Sequence, residues 1–319
     1  MFEQTIFIKS IKKEIKFQAI HKKVSENSFL LKIVSGPLKN TETKIEVREE
    51  NSQTQIDVDV DLKTSFAYKI FSSILLKKIQ SVNMTLFNRL EKFVSFLNNK
   101  KYRITFDEKY ETLIIDLGDK NFFFEGWWLG DISSSFISDS YLKLPFENKT
   151  VIDIGANIGD TAISFIYHNA EKVIGLEPFP INYKYLESNV KKNNLTEKIE
   201  IIQGGCSSKS SEIQVDPNLS GLSYKMENAD KGEKIYQFSL EELIKKYDIV
   251  NGIIKMNCEG CEYDTILNTP NEILKKFSHI LIQYHNGPND LIKKLEDAKF
   301  DVTFEPYSEV KGQIFAKEK

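Results

Sequence analysis

Apolar residues recur with different periods along the chain, and the change of period predicts two domains. Residues 1–62 contain short alternating or continuous apolar runs between turn residues, which predicts a small β-rich region. Between residues 64 and 99, apolar side chains step by three and four positions, the spacing of one helix face. Three more strands are predicted after it, at 101–106, 112–117 and 121–125. We therefore expect an N-terminal α+β domain over residues 1–120.

The pattern changes to alternating strands and helices from Val151 onwards. Short apolar runs, typical of strands buried on both faces, are followed by amphipathic stretches of helical period. This alternation predicts an α/β fold with a doubly wound, mostly parallel sheet over residues 121–319. The segments 300–305 and 312–316 predict a final antiparallel hairpin. We place the domain boundary near residues 118–130.

Two features outside this sheet leave alternatives open. The helical segment 64–99 packs against the preceding strands in one interpretation and forms the seam of a homodimer in the other. Trp127 and Trp128 are the only two tryptophans. They form either an aromatic platform for a flat substrate such as a sugar or a core plug between the domains. A helix is expected to follow them at residues 134–144.

The composition limits the partners and the location. A net charge of −3 and a pI near 6.0 argue against a general affinity for nucleic acid. Three cysteines are too few for a disulfide framework, which favours a reducing compartment and a cytoplasmic location. Neither a signal peptide nor an apolar stretch of about 18 residues is recognisable, so no membrane span is expected. Asp57, Asp59 and Asp61 alternate with apolar residues, and a solvated strand face is preferred there to a metal site.

A glycine loop follows the first strand of the alternating region. The segment Val151–Thr161 has the pattern Asp153-x-Gly155-x-x-x-Gly159 between the strand and the start of a helix. A strand, a glycine turn and a helix N-terminus form a site for a ligand with negative charge and close backbone contacts. The spacing is neither that of dinucleotide sites nor that of phosphate loops. It resembles motif I of the class I S-adenosylmethionine (SAM) methyltransferases.

An acidic residue ends the second predicted strand. Pro178 cannot continue the strand 172–176, so Glu177 is expected at its carboxyl tip. Glu177 lies 24 residues after Asp153, where nucleoside-binding sheets place an acid on the ribose hydroxyls. A carboxylate accepts hydrogen bonds from two vicinal hydroxyls at once. Together with the glycine loop, this residue predicts a nucleoside site.

Three segments together resemble the FkbM family of SAM-dependent methyltransferases. They are Val-Ile-Asp-Ile-Gly-Ala-Asn-Ile-Gly-Asp-Thr at 151–161, Gly-Leu-Glu-Pro at 175–178 and Ile-Lys-Met-Asn-Cys-Glu-Gly-Cys-Glu at 254–262. The resemblance implies a seven-stranded, Rossmann-like methyltransferase sheet with SAM as the cofactor. Family members mostly methylate hydroxyl groups of glycans and natural products. We therefore expect an O-methyltransferase with a glycan or small-molecule acceptor.

The resemblance places the cofactor site on the glycine loop and at the ends of the next two strands. The cofactor-binding residues that it implies are Asp153, Gly155, Asn157, Gly159, Thr161, Glu177, Gly205 and Cys206. The first five shape or line the methionine side, and the acid holds the ribose. The last two meet the adenine edge, unless the glycines there form an ordinary turn. Asp160 is expected to cap the helix that follows the loop, or else to approach the amino group of the ligand. No metal-binding residue is assigned.

The resemblance also marks a departure at the acceptor side. The family's usual last motif, Lys-Ile-Asp-Val-Glu-Gly-Ala-Glu, has an aspartate where this chain has Asn257, and an amide cannot accept a proton as a general base. Glu259 and His285 both follow predicted parallel strands, so both are candidates for taking the proton of a hydroxyl acceptor. Their alternatives are a helix-terminal charge for Glu259 and a structural role for His285. Lys255 is expected to pair with an acidic neighbour.

The same motif carries two cysteines, Cys258 and Cys261. We interpret them as small buried residues rather than as a zinc or redox site, because the family has small apolar residues at both positions. Two other functions stay open because of Asn257 and the N-terminal domain. One is a SAM-binding interaction module that has lost catalysis. The other is a methyltransferase for protein or RNA, with residues 1–120 as its reader.

Overall fold

The chain divides into two compact units, Met1–Glu91 and Lys92–Lys319. The structure is a computed structural model, and it describes the following residues: 2–8, 13–25, 28–33, 39–50, 53–61, 63, 103–107, 109–127, 132–136, 141–216 and 232–319. The predicted helical segment 64–99, and with it the predicted dimer seam, lies outside the described residues. Trp128 lies outside them as well.

The first unit contains a five-stranded antiparallel sheet in which each strand pairs with the next. Its strands are β1 (Phe2–Ile8), β2 (Lys13–Ser25), β3 (Ser28–Ile33), β4 (Glu42–Glu50) and β5 (Gln53–Asp61). Asp57 lies 3.4 Å from Arg48 Nε, and Asp61 lies 2.9 Å from Lys63 Nζ. Two of the three alternating aspartates thus have basic partners at the protein surface.

The second unit begins with a small antiparallel sheet of β6 (Arg103–Asp107), β7 (Thr112–Asp116) and β8 (Asn121–Phe124). The backbone of β8 is held by two amides of a later helix. Phe123 N donates to Asn193 Oδ1 at 2.9 Å, and Glu125 N donates to Asn189 Oδ1 at 2.7 Å. These bonds attach the small sheet to the rest of the second unit.

The main sheet of the second unit has seven strands in the order β11-β10-β9-β15-β16-β18-β17. The strands are β9 (Thr150–Ile154), β10 (Lys172–Leu176), β11 (Ile199–Ile202), β15 (Gly252–Met256), β16 (Phe277–Tyr284), β17 (Phe300–Pro306) and β18 (Gly312–Glu318). The first five in spatial order are parallel, and β18 is antiparallel to both of its neighbours. This confirms the predicted doubly wound sheet with a final antiparallel hairpin.

A third, three-stranded sheet lies beside it, with β14 (Glu233–Phe238) between β12 (Gly204–Cys206) and β13 (Ser211–Val215). The helices of the second unit are α1 (Ile132–Phe136), α2 (Asp160–Tyr167), α3 (Pro180–Lys192), α4 (Leu240–Tyr247), α5 (Cys261–Asn268), α6 (Asn271–Leu274) and α7 (Asn289–Asp297). Of the helix predicted over 134–144, only α1 is helical among the described residues. None of the described helices is long and apolar enough to cross a membrane.

Two hydrophobic clusters cover the two faces of the main sheet because its inner strands are buried on both sides. Successive residues of β9 show the division, since Val151 belongs to one cluster and Ile152 to the other. Every residue of β15 is buried. The rigid sheet therefore fixes the positions of the residues that follow its strands.

Candidate active site

A cleft of about 600 Å³ opens where β9, β10 and β15 end and β12 begins. Parallel sheets of this kind bind ligands at the carboxyl ends of their strands. Seven of the predicted site residues line the cleft, namely Gly155, Asn157, Glu177, Gly205, Cys206, Asn257 and Glu259. Four others are not among its lining residues, namely Asp153, Gly159, Thr161 and His285.

The glycine loop turns sharply under the cleft. Gly155 has φ of 78°, and a Cβ atom there would lie 2.1 Å from the backbone oxygen of Asn257. Any larger residue would therefore push the loop away from the end of β15. Gly159 has φ of 88° and is the N-cap of α2. Asp160 is the first residue of that helix, and its carboxylate accepts a hydrogen bond from Ser135 of α1.

Asp153 and Lys255 form a buried ion pair behind the loop. Their charged atoms are 2.7 Å apart, and the residues face each other on the neighbouring strands β9 and β15. The Lys255 ammonium also donates to Gly155 O at 3.0 Å, and Thr161 Oγ1 donates to the Asp153 carboxylate. Asp153 and Thr161 thus support the loop from below. The pairing of Lys255 with an acidic neighbour is as expected.

Glu177 is buried at the tip of β10 with its carboxylate fixed on the cleft wall. Its Oε2 accepts from Asn157 N at 2.9 Å, and its Oε1 accepts from Phe179 N at 3.0 Å. Burial raises the pKa of Glu177 to about 7, although the two backbone donors favour the ionised form. Each carboxylate oxygen has a second lone pair, so the group can still accept from two hydroxyls of a ligand.

Asn257 and Glu259 follow β15 on the opposite side of the cleft. Asn257 N donates to Ile154 O at 2.9 Å, which ties the segment to the end of β9. The Asn257 Oδ1 atom is buried and has no hydrogen-bond partner within the part of the chain that the structure describes. Glu259 has φ of 53°, a left-handed conformation that is uncommon for a residue with a Cβ atom. Polar groups at functional sites often sit in such conformations.

His285 lies between two carboxylates just outside the cleft. Its Nε2 is 3.2 Å from Glu259 Oε1, and its Nδ1 is 3.0 Å from Oε1 of the buried Glu262. Burial by itself would lower the pKa of His285, but the contacts with the two carboxylates outweigh it and raise the pKa to about 9. The imidazole is therefore protonated at neutral pH. Lys311 Nζ lies 3.9 Å from the other oxygen of Glu259.

A disulfide joins Cys258 and Cys261. The interpretation of these residues as small buried side chains is wrong. The turn at Gly260, with φ of 127°, brings the two Cα atoms within 5.5 Å, a distance that a disulfide can bridge. Both cysteines line the cleft. The third, Cys206, is a buried free thiol on the same cleft, and burial raises its pKa to about 12.

The structure adds lining residues that the sequence did not suggest, among them Phe179 and Asn182. Asn182 is buried in the first turn of α3, one helical turn before the buried Leu186. The available signal was a polar residue at an apolar position of the helical period. Trp127 packs against one core cluster and meets Phe106 edge-on, with ring centroids 5.8 Å apart, and does not line the cleft. Within the described ranges, no three His, Cys, Asp or Glu side chains are grouped to hold a metal ion.

Most of the cleft lies in a segment of the chain that matches a known protein family. Residues 153–302 match the family model described as the methyltransferase FkbM domain. The second unit therefore carries an FkbM methyltransferase domain. The match covers the glycine loop, Glu177, the Asn257–Glu262 segment and His285. The FkbM domain is a SAM-dependent methyltransferase domain.

The cleft residues fit SAM chemically. Glu177 presents a fixed carboxylate that can accept from the ribose hydroxyls, and two glycines, Gly155 and Gly205, line the cleft without a side chain. The buried Asn257 Oδ1 offers one further acceptor.

Solved methyltransferase structures match this chain more weakly. A precorrin-6y C5,15-methyltransferase from Geobacter metallireducens GS-15 is 13% identical, covers 56% of this chain and 86% of its own, and has a TM-score of 0.36. TrmK from M. capricolum, in complex with S-adenosyl-homocysteine, is 17% identical, with 56% and 65% coverage and a TM-score of 0.35. A putative rRNA-methylase from Clostridium thermocellum is 12% identical, with 56% and 92% coverage and a TM-score of 0.38.

Proposed function

We propose that the FkbM domain transfers the methyl group of SAM to a hydroxyl oxygen of a glycan or a sugar-bearing small molecule. The observation that carries the proposal is the carboxylate of Glu259, which lines the cleft and is held from behind by His285. A hydroxyl acceptor must lose a proton during methyl transfer, and a fixed carboxylate beside the reacting oxygen can take it.

The cofactor side of the cleft supports this proposal. Gly155, Asn157, Glu177, Gly205 and Cys206 would hold SAM, with Glu177 on the ribose. Bound SAM supplies a methyl group on a sulfonium, which is already a strong electrophile. The main task left to the chain is to place an acceptor oxygen in line with that group.

Glu259 is the best-placed base among the three predicted catalytic residues. His285 is protonated at neutral pH and has no vacant site for a proton, and the amide of Asn257 cannot accept one. As the acceptor oxygen bonds to the methyl carbon, its proton becomes strongly acidic, so even a carboxylate beside an imidazolium can accept it. His285 then acts as a positioning residue that keeps Glu259 turned towards the cleft.

The tip of the β17–β18 hairpin offers a wall for the acceptor. Tyr307 N donates to Lys311 O at 2.8 Å, and the Lys311 ammonium reaches the Glu259 carboxylate. The side chain of Tyr307 is exposed beside this contact. An exposed aromatic ring next to charged groups suits a sugar, which presents apolar C–H faces and polar hydroxyls together.

The test is transfer of an isotopically labelled methyl group from SAM to panels of glycans, small hydroxylated molecules, RNA and protein. We expect label in the carbohydrate fraction, in an ether that survives mild alkali. Label in a base-labile ester would indicate a carboxylate acceptor, which needs no base. Label in RNA or protein, or tight SAM binding without any transfer, would contradict the proposal.

A further inference from the structure

The disulfide lies in the wall of the SAM cleft and encloses the proposed base. Cys258 and Cys261 both line the cleft, and the ring that they close contains only Glu259 and Gly260 between them. Both enclosed residues have positive φ, 53° and 127°. The backbone that carries Glu259 is thus held in a conformation that an open chain would leave more readily.

A continuous set of contacts joins the ring to the proposed base. Gly260 N donates to Glu262 Oε2 at 2.8 Å, and Cys258 Sγ lies 3.4 Å from the same oxygen. The other oxygen of Glu262 contacts His285 Nδ1, and His285 Nε2 contacts Glu259. A change at the sulfur atoms therefore reaches the Glu259 carboxylate through two routes, the backbone of the ring and the side chains of Glu262 and His285.

A purely stabilising role accounts poorly for this bond. Closing a ring of four residues removes little conformational entropy from the unfolded chain, because the stabilisation grows with loop length. Both cysteines are partly exposed to solvent at the cleft, so a thiol can reach them. Cys261 is the first residue of α5, where the helix N-terminus favours a thiolate and therefore a good leaving group in thiol–disulfide exchange.

We propose that Cys258–Cys261 is a redox-active disulfide that exchanges with dithiol reductants and controls the affinity of the cleft for SAM. One dithiol gives two electrons and two protons to the bond, which yields two cysteine thiols and the oxidised reductant. In the reduced form the Cys258 S–H becomes a donor to Glu262 Oε2 and competes with Gly260 N. The ring then relaxes, and Glu259 and the rest of the 257–261 wall lose their fixed position.

This inference rests on the SAM site and not on the identity of the acceptor. Its first test counts thiols in the full-length chain equilibrated in glutathione buffers of graded potential. Cys206 is buried, and its high pKa keeps it unreactive in the native state. We expect no alkylated thiol in the native oxidised protein and two in the native reduced protein, with one and three after denaturation. A bond that stays intact across the whole glutathione range would overturn the proposal.

The second test measures the midpoint potential of the bond with and without SAM. Coupling between two sites is reciprocal. If SAM binds the oxidised form about fivefold more tightly, it must lower the midpoint potential by about 20 mV for this two-electron couple. Direct calorimetry on the oxidised protein shows separately whether SAM binds. If SAM binds but the midpoint potential does not change, the disulfide does not control the affinity of the cleft for SAM. If SAM does not bind at all, the cofactor assignment and the proposed function are wrong instead.

The matched variant is Cys258→Val with Cys261→Ala, which restores the residues usual in the family motif and so should fold. Its SAM affinity should no longer change between oxidising and reducing buffers. A redox response that survives in the double variant would show that the effect comes from elsewhere in the chain.

Discussion

Lys255 and Asp153 face each other across two central strands with their charges 2.7 Å apart and their side chains at most 2% exposed. Neither group is exposed to solvent, so each charge is stabilised mainly by the opposite charge of its partner. The pair also fixes the glycine loop, because the same ammonium donates to Gly155 O. The position of the glycine loop under the cleft thus depends on an ion pair buried behind it.

Removing one charge of this pair should be costly. Lys255→Met leaves the Asp153 carboxylate buried and uncompensated, and we expect the free energy of unfolding to fall by about 3–5 kcal/mol. The double variant Asp153→Asn with Lys255→Met should recover a large part of this loss. Urea unfolding followed by circular dichroism measures both. Equal losses in the single and double variants would contradict the role of the pair.

Glu177 should make stability fall as the pH rises. Its folded pKa, about 7, is above the ordinary value of 4.5, so the folded state binds the proton more tightly. Stability should therefore decrease between about pH 4.5 and 7, by about 3 kcal/mol in total. Unfolding curves across this range measure the slope. The slope should disappear in Glu177→Gln and persist in Glu187→Gln, which alters a partly exposed acid of α3; a slope unchanged in both variants would assign it to other groups.

SAM binding should have the opposite pH dependence, because the ribose hydroxyls would donate hydrogen bonds to the ionised carboxylate of Glu177. The same Glu177 should make SAM affinity rise with pH through about 7, with release of a proton on binding. Calorimetry in buffers with different ionisation enthalpies detects that proton. If Glu177→Gln binds SAM as tightly as the wild type, the ribose role is wrong.

Glu259 should be needed for transfer more than for cofactor binding. Glu259→Gln keeps the shape but cannot take a proton, and we expect kcat to fall about 100-fold while SAM affinity changes little. Adding Asn257→Asp to this variant should restore part of kcat, because it places a carboxylate on the same cleft wall. Steady-state transfer with labelled SAM gives kcat, and a fall of less than threefold would exclude the base role.

His285 should make stability fall at alkaline pH. Its folded pKa, about 9, is above its ordinary value of 6.5, so its contribution is complete below pH 6.5 and is lost as the pH rises through 9. We expect a loss of about 2 kcal/mol after allowance for solvent screening. His285→Gln should remove this alkaline loss, whereas His168→Gln, a half-buried histidine outside the site, should keep it. Thermal unfolding between pH 6 and 9.5 distinguishes them.

Tyr307 should affect the acceptor and not the cofactor. Tyr307→Ala removes the exposed ring at the hairpin tip, and we expect KM for a sugar acceptor to rise about five- to tenfold with kcat and SAM affinity unchanged. Tyr307→Phe keeps the ring and should behave like the wild type. Tyr110→Ala removes an equally exposed ring on a distant turn and is the matched control. Steady-state kinetics that show no change in KM would place the acceptor on another surface.

The features that were predicted correctly from the sequence depend on residues that are close together in the chain. The strand Lys172–Leu176, the proline after it and the acid between them are neighbours in the chain, so Glu177 could be placed at a strand tip without any knowledge of the fold. The same holds for Ser239, whose hydroxyl accepts from Glu242 N and caps α4; a serine followed three residues later by a glutamate is a local pattern typical of a helix start.

Other features depend on residues far apart in the chain. The raised pKa of His285 needs Glu262, which is 23 residues away, and no local pattern joins them. The attachment of β8 depends on distant residues as well, because Phe123 N and Glu125 N donate to the amides of Asn193 and Asn189, which lie 70 and 64 residues later. The disulfide escaped prediction because the family resemblance favoured small apolar residues, whereas the backbone turn at Gly260 decides whether two sulfur atoms can meet.

The side chain of Asn189 makes further contacts between residues that are far apart in the chain. Its amide oxygen accepts from Glu125 N, and its nitrogen donates to Glu125 O and to Ile158 O of the glycine loop. This side chain therefore links the segment after β8, which lies upstream of the FkbM domain, to the glycine loop. For protein engineering this means that residues 103–127 belong to the transplantable module. A graft of the catalytic domain should be cut before residue 103.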